Sequence, residues 1–233
     1  PMMSRAAVGC RHLTPAFHLA LAAPHRRRAT VSTSAGMPRG GGRLDPSKSV
    51  VFVCDVQERF RGVVDGFSHC VHVGAVMMRA AAILHVPVIV TEQYPEKLGS
   101  TVDELQPHIP KDHPAVPKKL FSMCTPEVIA RLDGMPGRTQ AIIMGLEAHV
   151  CVMQTAMDLM DRGVEVFVLA DGTSSQRPSD RAIAMRRLEQ MGAWTTSSEM
   201  ALFQMLKTAD ADAFKPVSAL VREPRPEPPL ALL

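Results

Sequence analysis

Three side chains able to do acid–base or nucleophilic chemistry stand where an apolar strand pattern breaks off. Asp55 follows the run Val50-Val51-Phe52-Val53-Cys54, Lys118 follows Ala115-Val116-Pro117, and Cys151 closes Gly145-Leu146-Glu147-Ala148-His149-Val150-Cys151. A carboxylate at the end of a buried strand is partly desolvated, which raises its pKa and suits it to taking a proton. A cysteine in the first turn of a helix faces unsatisfied N–H groups and the positive end of the macrodipole, and both favour the thiolate. The same N–H groups can hold the oxyanion formed when sulfur attacks a carbonyl. Simpler roles compete: a helix cap for Asp55, and a small core residue for Cys151. Lys118 has Lys119 beside it, and periodicity does not say which ammonium points inward.

The elements that must position these groups alternate. Residues 49–54 read as a strand buried on both faces, 71–84 as a helix, and 86–91 as a second strand with Pro87 near its start. A weaker strand at 115–118 precedes a helix near 126–132, which opens with Thr125 as cap and Pro126 in the first turn. Strand 140–144, helix 150–162, strand 164–169 and helix 179–191 follow, the last ended by Gly192. A short strand at 193–196 leads to a helix through about 206, capped by Ser197 or Ser198. This order predicts an α/β fold, a parallel sheet with helices on both sides. In such sheets ligands bind beyond the carboxyl ends of the strands, near the point where strand order reverses. Asp55, Lys118 and Cys151 all fall at such ends. By alternation Cys54 is expected on the face opposite Asp55, as a structural thiol, and Cys10 and Cys70 lie away from strand ends.

Composition narrows the classes of function. Aromatic residues are 4% of the chain and apolar residues 46%, which suits an aliphatic core, and no apolar run is long enough to span a bilayer. The formal net charge of +3 conceals an asymmetry: residues 1–44 hold seven arginines and no acid, leaving 19 basic against 23 acidic residues in the remainder. The main body is therefore mildly acidic, which argues against a broad nucleic-acid-binding face. Five cysteines without a CxxC pair support neither a disulfide framework nor a cysteine-built zinc site, and fit a reducing intracellular compartment. Residues 1–44 have the profile of a mitochondrial transit peptide, with a cytoplasmic location as the alternative if translation starts at Met37. The expected organisation is that extension, one domain over 45–207, and a Pro-rich tail over 208–233.

Three segments carry a family resemblance. Asp55-Val56-Gln57-Glu58-Arg59-Phe60 resembles the D-x-Q-x-x-F signature of the isochorismatase-like hydrolases, and Lys118-Lys119-Leu120-Phe121-Ser122 resembles their K-x-x-[YF]-S segment. Gly145 through Ala156 is similar to G-[VI]-x-x-x-x-C-V-x-x-T-A. The likeness runs from about 49 to 206 and selects Lys118 over Lys119. It implies a three-layer α/β/α sandwich with a six-stranded parallel sheet and an Asp55–Lys118–Cys151 triad. It also implies a covalent intermediate on an amide-like small-molecule substrate, and a homo-oligomer. A cis peptide between Leu146 and Glu147 is implied too, aiming the N–H groups of Glu147 and Cys151 at the oxyanion. Gln57, Phe60, Tyr94, Phe121 and His149 are candidates for the substrate pocket.

The sequence departs from some branches of that family. Where nicotinamidases have an Asp-x-His metal segment, it reads Thr91-Glu92-Gln93-Tyr94-Pro95, so no metal and no other cofactor is expected. The Cys151 thiol favours acyl chemistry over vinyl-ether cleavage. Glu92-Gln93-Tyr94-Pro95 looks closest to the eukaryotic isochorismatase domain-containing subgroup, some trypanosomatid members of which have been labelled mitochondrial ribonucleases. That label and a catalytically silent binding protein are the alternatives to a hydrolase.

Overall fold

The computed structural model describes residues 41–227, so residues 1–40 of the extension lie outside the described part of the chain. Six strands form one sheet: β1 (Ser49–Cys54), β2 (Val88–Gln93), β3 (Val116–Lys118), β4 (Gln140–Leu146), β5 (Glu165–Ser174) and β6 (Trp194–Thr196). Their order is β3-β2-β1-β4-β5-β6, and every neighbouring pair is parallel. Between them run α1 (Phe67–Ile83), α2 (Pro95–Leu98), α3 (Pro126–Asp133), α4 (Met153–Asp161) and α5 (Pro178–Met191), with α6 (Ser198–Leu206) and α7 (Phe214–Val221) after β6.

All six residues of β1 are buried, because alternate side chains feed two different cores. Val51 and Val53 join α1, α6 and α7 on one face, while Val50, Phe52 and Cys54 join α3, α4 and α5 on the other. That division makes the three layers. β1 lies between β2 and β4, so strand order reverses there, and the carboxyl ends of β1 and β4 are where a sheet of this topology binds its ligand.

The main differences from sequence expectation come from tertiary packing. Residues 208–233, read as a tail, contain α7, whose Val217 and Leu220 are buried against the core that includes α1. Its prolines suggested a tail, but the apolar stripe found a partner on α1 and α6. β5 runs five residues past its predicted end, and at Gly172 an added Cβ would lie 2.4 Å from Val73 Cγ1, so the absent side chain lets β5 approach α1. The helix expected over 150–162 opens with a π-helical turn, Ala148–Val152, before α4. Caps follow chemistry: the Thr125 hydroxyl accepts from Val128 N, and Ser197 rather than Ser198 accepts from Met200 N.

Candidate active site

The carboxyl end of β1 does not continue its own pattern. Asp55 has φ 51°, a left-handed conformation that Asp tolerates better than most residues. This breaks the strand alternation and corrects the expectation for Cys54. The thiol keeps the face of Val50 and Phe52, and the turn brings the carboxylate round to it, so that Cys54 donates to Asp55 Oδ2 at 3.6 Å. The other carboxylate oxygen accepts from Thr91 Oγ1 at 2.8 Å, and the Asp55 N–H donates to Thr91 O at 3.2 Å. Asp55 is therefore held from the adjacent β2 by main chain and side chain together.

Lys118 arrives from the next strand, β3. Its side chain is fully buried, and Nζ donates to Asp55 Oδ2 at 2.7 Å, to Gln93 Oε1 at 2.7 Å, and to the carbonyls of Phe121 at 2.8 Å and Leu120 at 3.1 Å. Burial alone would lower its pKa, but the acidic groups of Cys54, Asp55 and Cys151 outweigh that and hold the ammonium above its usual range. Lys119 points outward, its ammonium 4.7 Å from the centre of the Tyr94 ring.

Cys151 enters from beyond β4, in the π turn, 7% exposed. Single π turns inside helices recur at functional sites. Its thiol interacts with the Cys54 thiol and electrostatically with Lys118. Thr155 ties this turn to the Lys118 loop: its hydroxyl donates to Cys151 O at 2.6 Å and accepts from Met123 N at 2.9 Å. Gly145, opposite Cys54 in the register, has φ 116°, and a Cβ there would lie 2.1 Å from Cys54 O. Only glycine lets β4 run this close to β1 and deliver the following turn. The Leu146–Glu147 peptide is cis, as the resemblance implied.

With this geometry in place, likeness to known proteins becomes informative. The isochorismatase domain model matches residues 49–200, which spans all three positions. The chain belongs to the isochorismatase domain family. The family member is 45% identical over 186 residues to the secreted isochorismatase effector Isc1 of Phytophthora sojae, covering 78% of this chain and 88% of the relative. It is 42% identical to isochorismatase domain-containing protein 2 of Xenopus laevis, covering 80% and 89%. Its structure is similar to one described as MAR1 ribonuclease from Caenorhabditis elegans, with TM-score 0.77 and 38% identity over 82% of this chain and 98% of that one.

The remaining sequence candidates of this isochorismatase-domain chain fall into two groups. Tyr94 and Phe121 are exposed, and Phe121 rises from the loop whose carbonyls hold Lys118. His149 is partly exposed; Nδ1 pairs with Ser175 Oγ at 2.9 Å, and Nε2 lies 3.8 Å from Glu147 Oε2 and 4.0 Å from Asp180 Oδ2. Gln57 and Phe60 belong to the frame. Gln57 is fully buried, donating to Gly99 O at 2.6 Å and Gln93 O at 3.0 Å and accepting from Gln93 N at 2.7 Å. These bonds clamp the end of β2 beside Lys118. Phe60 packs against the core on the α1 face, whereas Cys151 belongs to the other core.

Glu92, in the segment where a metal-binding relative would place ligands, accepts from Thr101 N at 2.7 Å and Thr101 Oγ1 at 2.8 Å. Sequence reasoning overlooked Thr91, Gln93, Cys54 and Thr155 as functional partners. Thr91 and Gln93 alternate along β2 on the side that meets Asp55 and Lys118, a period-two signal legible once β2 is placed beside β1.

Proposed function

We propose that this isochorismatase-domain chain is a cysteine hydrolase of amide-like bonds in small molecules, with Asp55, Lys118 and Cys151 as its triad. The carrying observation is the fully buried Lys118–Asp55 ion pair at 2.7 Å, with the Cys151 thiol interacting with the same lysine. Burying two charges is costly unless they are paired and further hydrogen-bonded, and both conditions are met here. Asp55 takes the Cys151 proton, and the Lys118 ammonium stabilises the resulting thiolate and keeps Asp55 oriented. The thiolate attacks the carbonyl carbon, and the N–H groups of Glu147 and Cys151 receive the oxyanion. Asp55 returns the proton to the departing amine, leaving a thioester on Cys151. Water, deprotonated by Asp55, then attacks the thioester carbon and releases the acid and the thiol.

The test is covalent labelling of Cys151 by iodoacetamide at neutral pH. Labelling faster at Cys151 than at Cys124, and lost in Asp55→Ala and Lys118→Ala, supports the reading. Equal reactivity of Cys151 and Cys124 overturns it.

The description of the Caenorhabditis elegans relative favours a second reading, ribonuclease activity. That reading requires RNA cleavage surviving Cys151→Ala, and the acidic balance of residues 45–233 counts against it. A binding protein on the same fold requires an inert thiol. We further propose a homo-oligomer, checked by sedimentation, and mitochondrial delivery by residues 1–44, checked by imaging a fluorescent fusion with and without them.

A further inference from the structure

Cys54 is a buried thiol that the proposed hydrolysis does not use. It sits at the last position of β1, fully buried, and donates to the Asp55 carboxylate at 3.6 Å. It also interacts with the Cys151 thiol: both side chains belong to the same core cluster, and Cys54 pairs in register with Gly145, from which the chain runs on to the Cys151 turn. Of the other described cysteines, Cys70 lies in the core on the opposite face of the sheet, and Cys124 packs, half-buried, against the core that holds Cys54 and Cys151, its N–H donating to Ser122 Oγ. Two thiols and one carboxylate therefore gather at the strand end, and of the two cysteines only Cys151 keeps any exposure.

We propose that Cys151 and Cys54 form a peroxide-responsive pair, in which oxidation at Cys151 is resolved by Cys54 as a reversible disulfide that removes the nucleophile from service. The proposal rests on the reading of Cys151 as a reactive thiolate. Hydrogen peroxide is the oxidant: the Cys151 thiolate attacks one peroxide oxygen, the O–O bond breaks, and a proton completes the departing water, leaving a sulfenic acid. Cys54 then attacks the Cys151 sulfur, its proton passing to Asp55 and on to the departing hydroxide, so that a second water leaves as the S–S bond forms. A dithiol supplies the two electrons and two protons that restore both thiols.

The division of labour follows from the surroundings. Lys118 acts on both thiols, but Cys151 is 7% exposed and Cys54 is fully buried, so peroxide meets Cys151 first. Burial, with the Cys151 thiol and the Asp55 charge, pushes the Cys54 thiol well up, so Cys54 stays protonated and unreactive until a sulfenic acid forms beside it. Asp55 is already the hydrogen-bond acceptor of that proton. A sulfenic acid with no thiol within reach is open to further, irreversible oxidation.

The experiment treats the full chain with stoichiometric hydrogen peroxide, blocks free thiols with N-ethylmaleimide, and maps the digest by mass spectrometry. The expected result is a peptide linking Cys54 to Cys151. Loss of iodoacetamide labelling at Cys151 should accompany it, and dithiothreitol should reverse both. In Cys54→Ala given several equivalents of peroxide, the linked peptide is absent, each further equivalent adds an oxygen to the Cys151 sulfenic acid to give sulfinic and then sulfonic acid, and dithiothreitol does not restore labelling. The wild-type digest carries the test by itself should that variant fold poorly. Irreversible oxidation of wild-type Cys151 without a linked peptide, or linkage to Cys70 or Cys124, overturns the pair. A Cys151 that iodoacetamide alkylates but peroxide never links to Cys54 overturns this inference alone. A Cys151 inert to both reagents overturns the hydrolase reading as well.

Discussion

Replacing Lys118 with methionine removes the cation and keeps much of the side-chain volume, which isolates the electrostatic contribution of the buried pair. Lys118 and Asp55 have side-chain exposures of 0% and 1%, so solvent does not screen the charge that remains. Asp55 Oδ2 would keep only the weak Cys54 thiol donor, and the Gln93 Oε1, Leu120 and Phe121 acceptors would lose Lys118 as a donor. Removing one partner of a buried ion pair costs about 3–5 kcal/mol. With a urea slope of about 2–3 kcal/mol/M for a domain of this size, the midpoint should fall by roughly 1–2 M. Arg61 is the internal control, since its ion pairs with Glu58 and Glu104 lie at the surface; Arg61→Ala should move the midpoint far less than Lys118→Met. Urea denaturation followed by far-UV circular dichroism gives both numbers, and the iodoacetamide rate at Cys151 should fall at least about tenfold in Lys118→Met, equivalent to about 1.4 kcal/mol. A Lys118→Met midpoint no lower than that of Arg61→Ala, with an unchanged labelling rate, would refute the reasoning.

Three further outcomes follow from the same geometry. Gly145→Ala puts a Cβ 2.1 Å from Cys54 O at a φ of 116°, and should cost about 3 kcal/mol or more in denaturant titration, with loss of Cys151 labelling. Thr155→Val leaves the buried Met123 N–H and Cys151 carbonyl without their shared partner; a loss of about 1–3 kcal/mol is expected, and a cost near zero would mean the bridge is dispensable. Lys118 has a folded pKa above the 10.5 of the free side chain, so the folded state binds its proton more tightly than the unfolded state does. Its stabilisation is therefore complete below pH 10.5 and lost as pH rises through the folded value. The stability gap between wild type and Lys118→Met should hold from pH 7 to 10 and narrow above it, as read from urea midpoints at each pH.

Much of the frame was legible in one dimension, because local patterns report it. The uninterrupted apolar run at 50–54 reads as buried on both faces, Thr125-Pro126 reads as a cap and first turn, and strand–helix alternation leaves little choice but a parallel sheet. Asp55, Lys118 and Cys151 stood out because each interrupts an apolar pattern at an element end. The tail was misread because its prolines are a local signal, whereas the partner for Val217 and Leu220 is α1, more than a hundred residues earlier in the chain.

The sequence by itself determined which residues end each strand and hence which groups gather at the carboxyl edge of the sheet. Tertiary structure decided which of them touch. Strand order β3-β2-β1-β4 sets Lys118, Thr91, Asp55 and the Cys151 turn side by side, and no periodicity encodes that order. The fate of Cys54 is the sharpest case. Alternation sends it away from Asp55, but the left-handed turn at Asp55 returns the carboxylate to the Cys54 side, where Gly145 and the π turn also bring Cys151. A backbone angle at one residue, with Thr91 of β2 holding the side chain that follows it, brought the Asp55 carboxylate onto the face that Cys54 shares with Cys151.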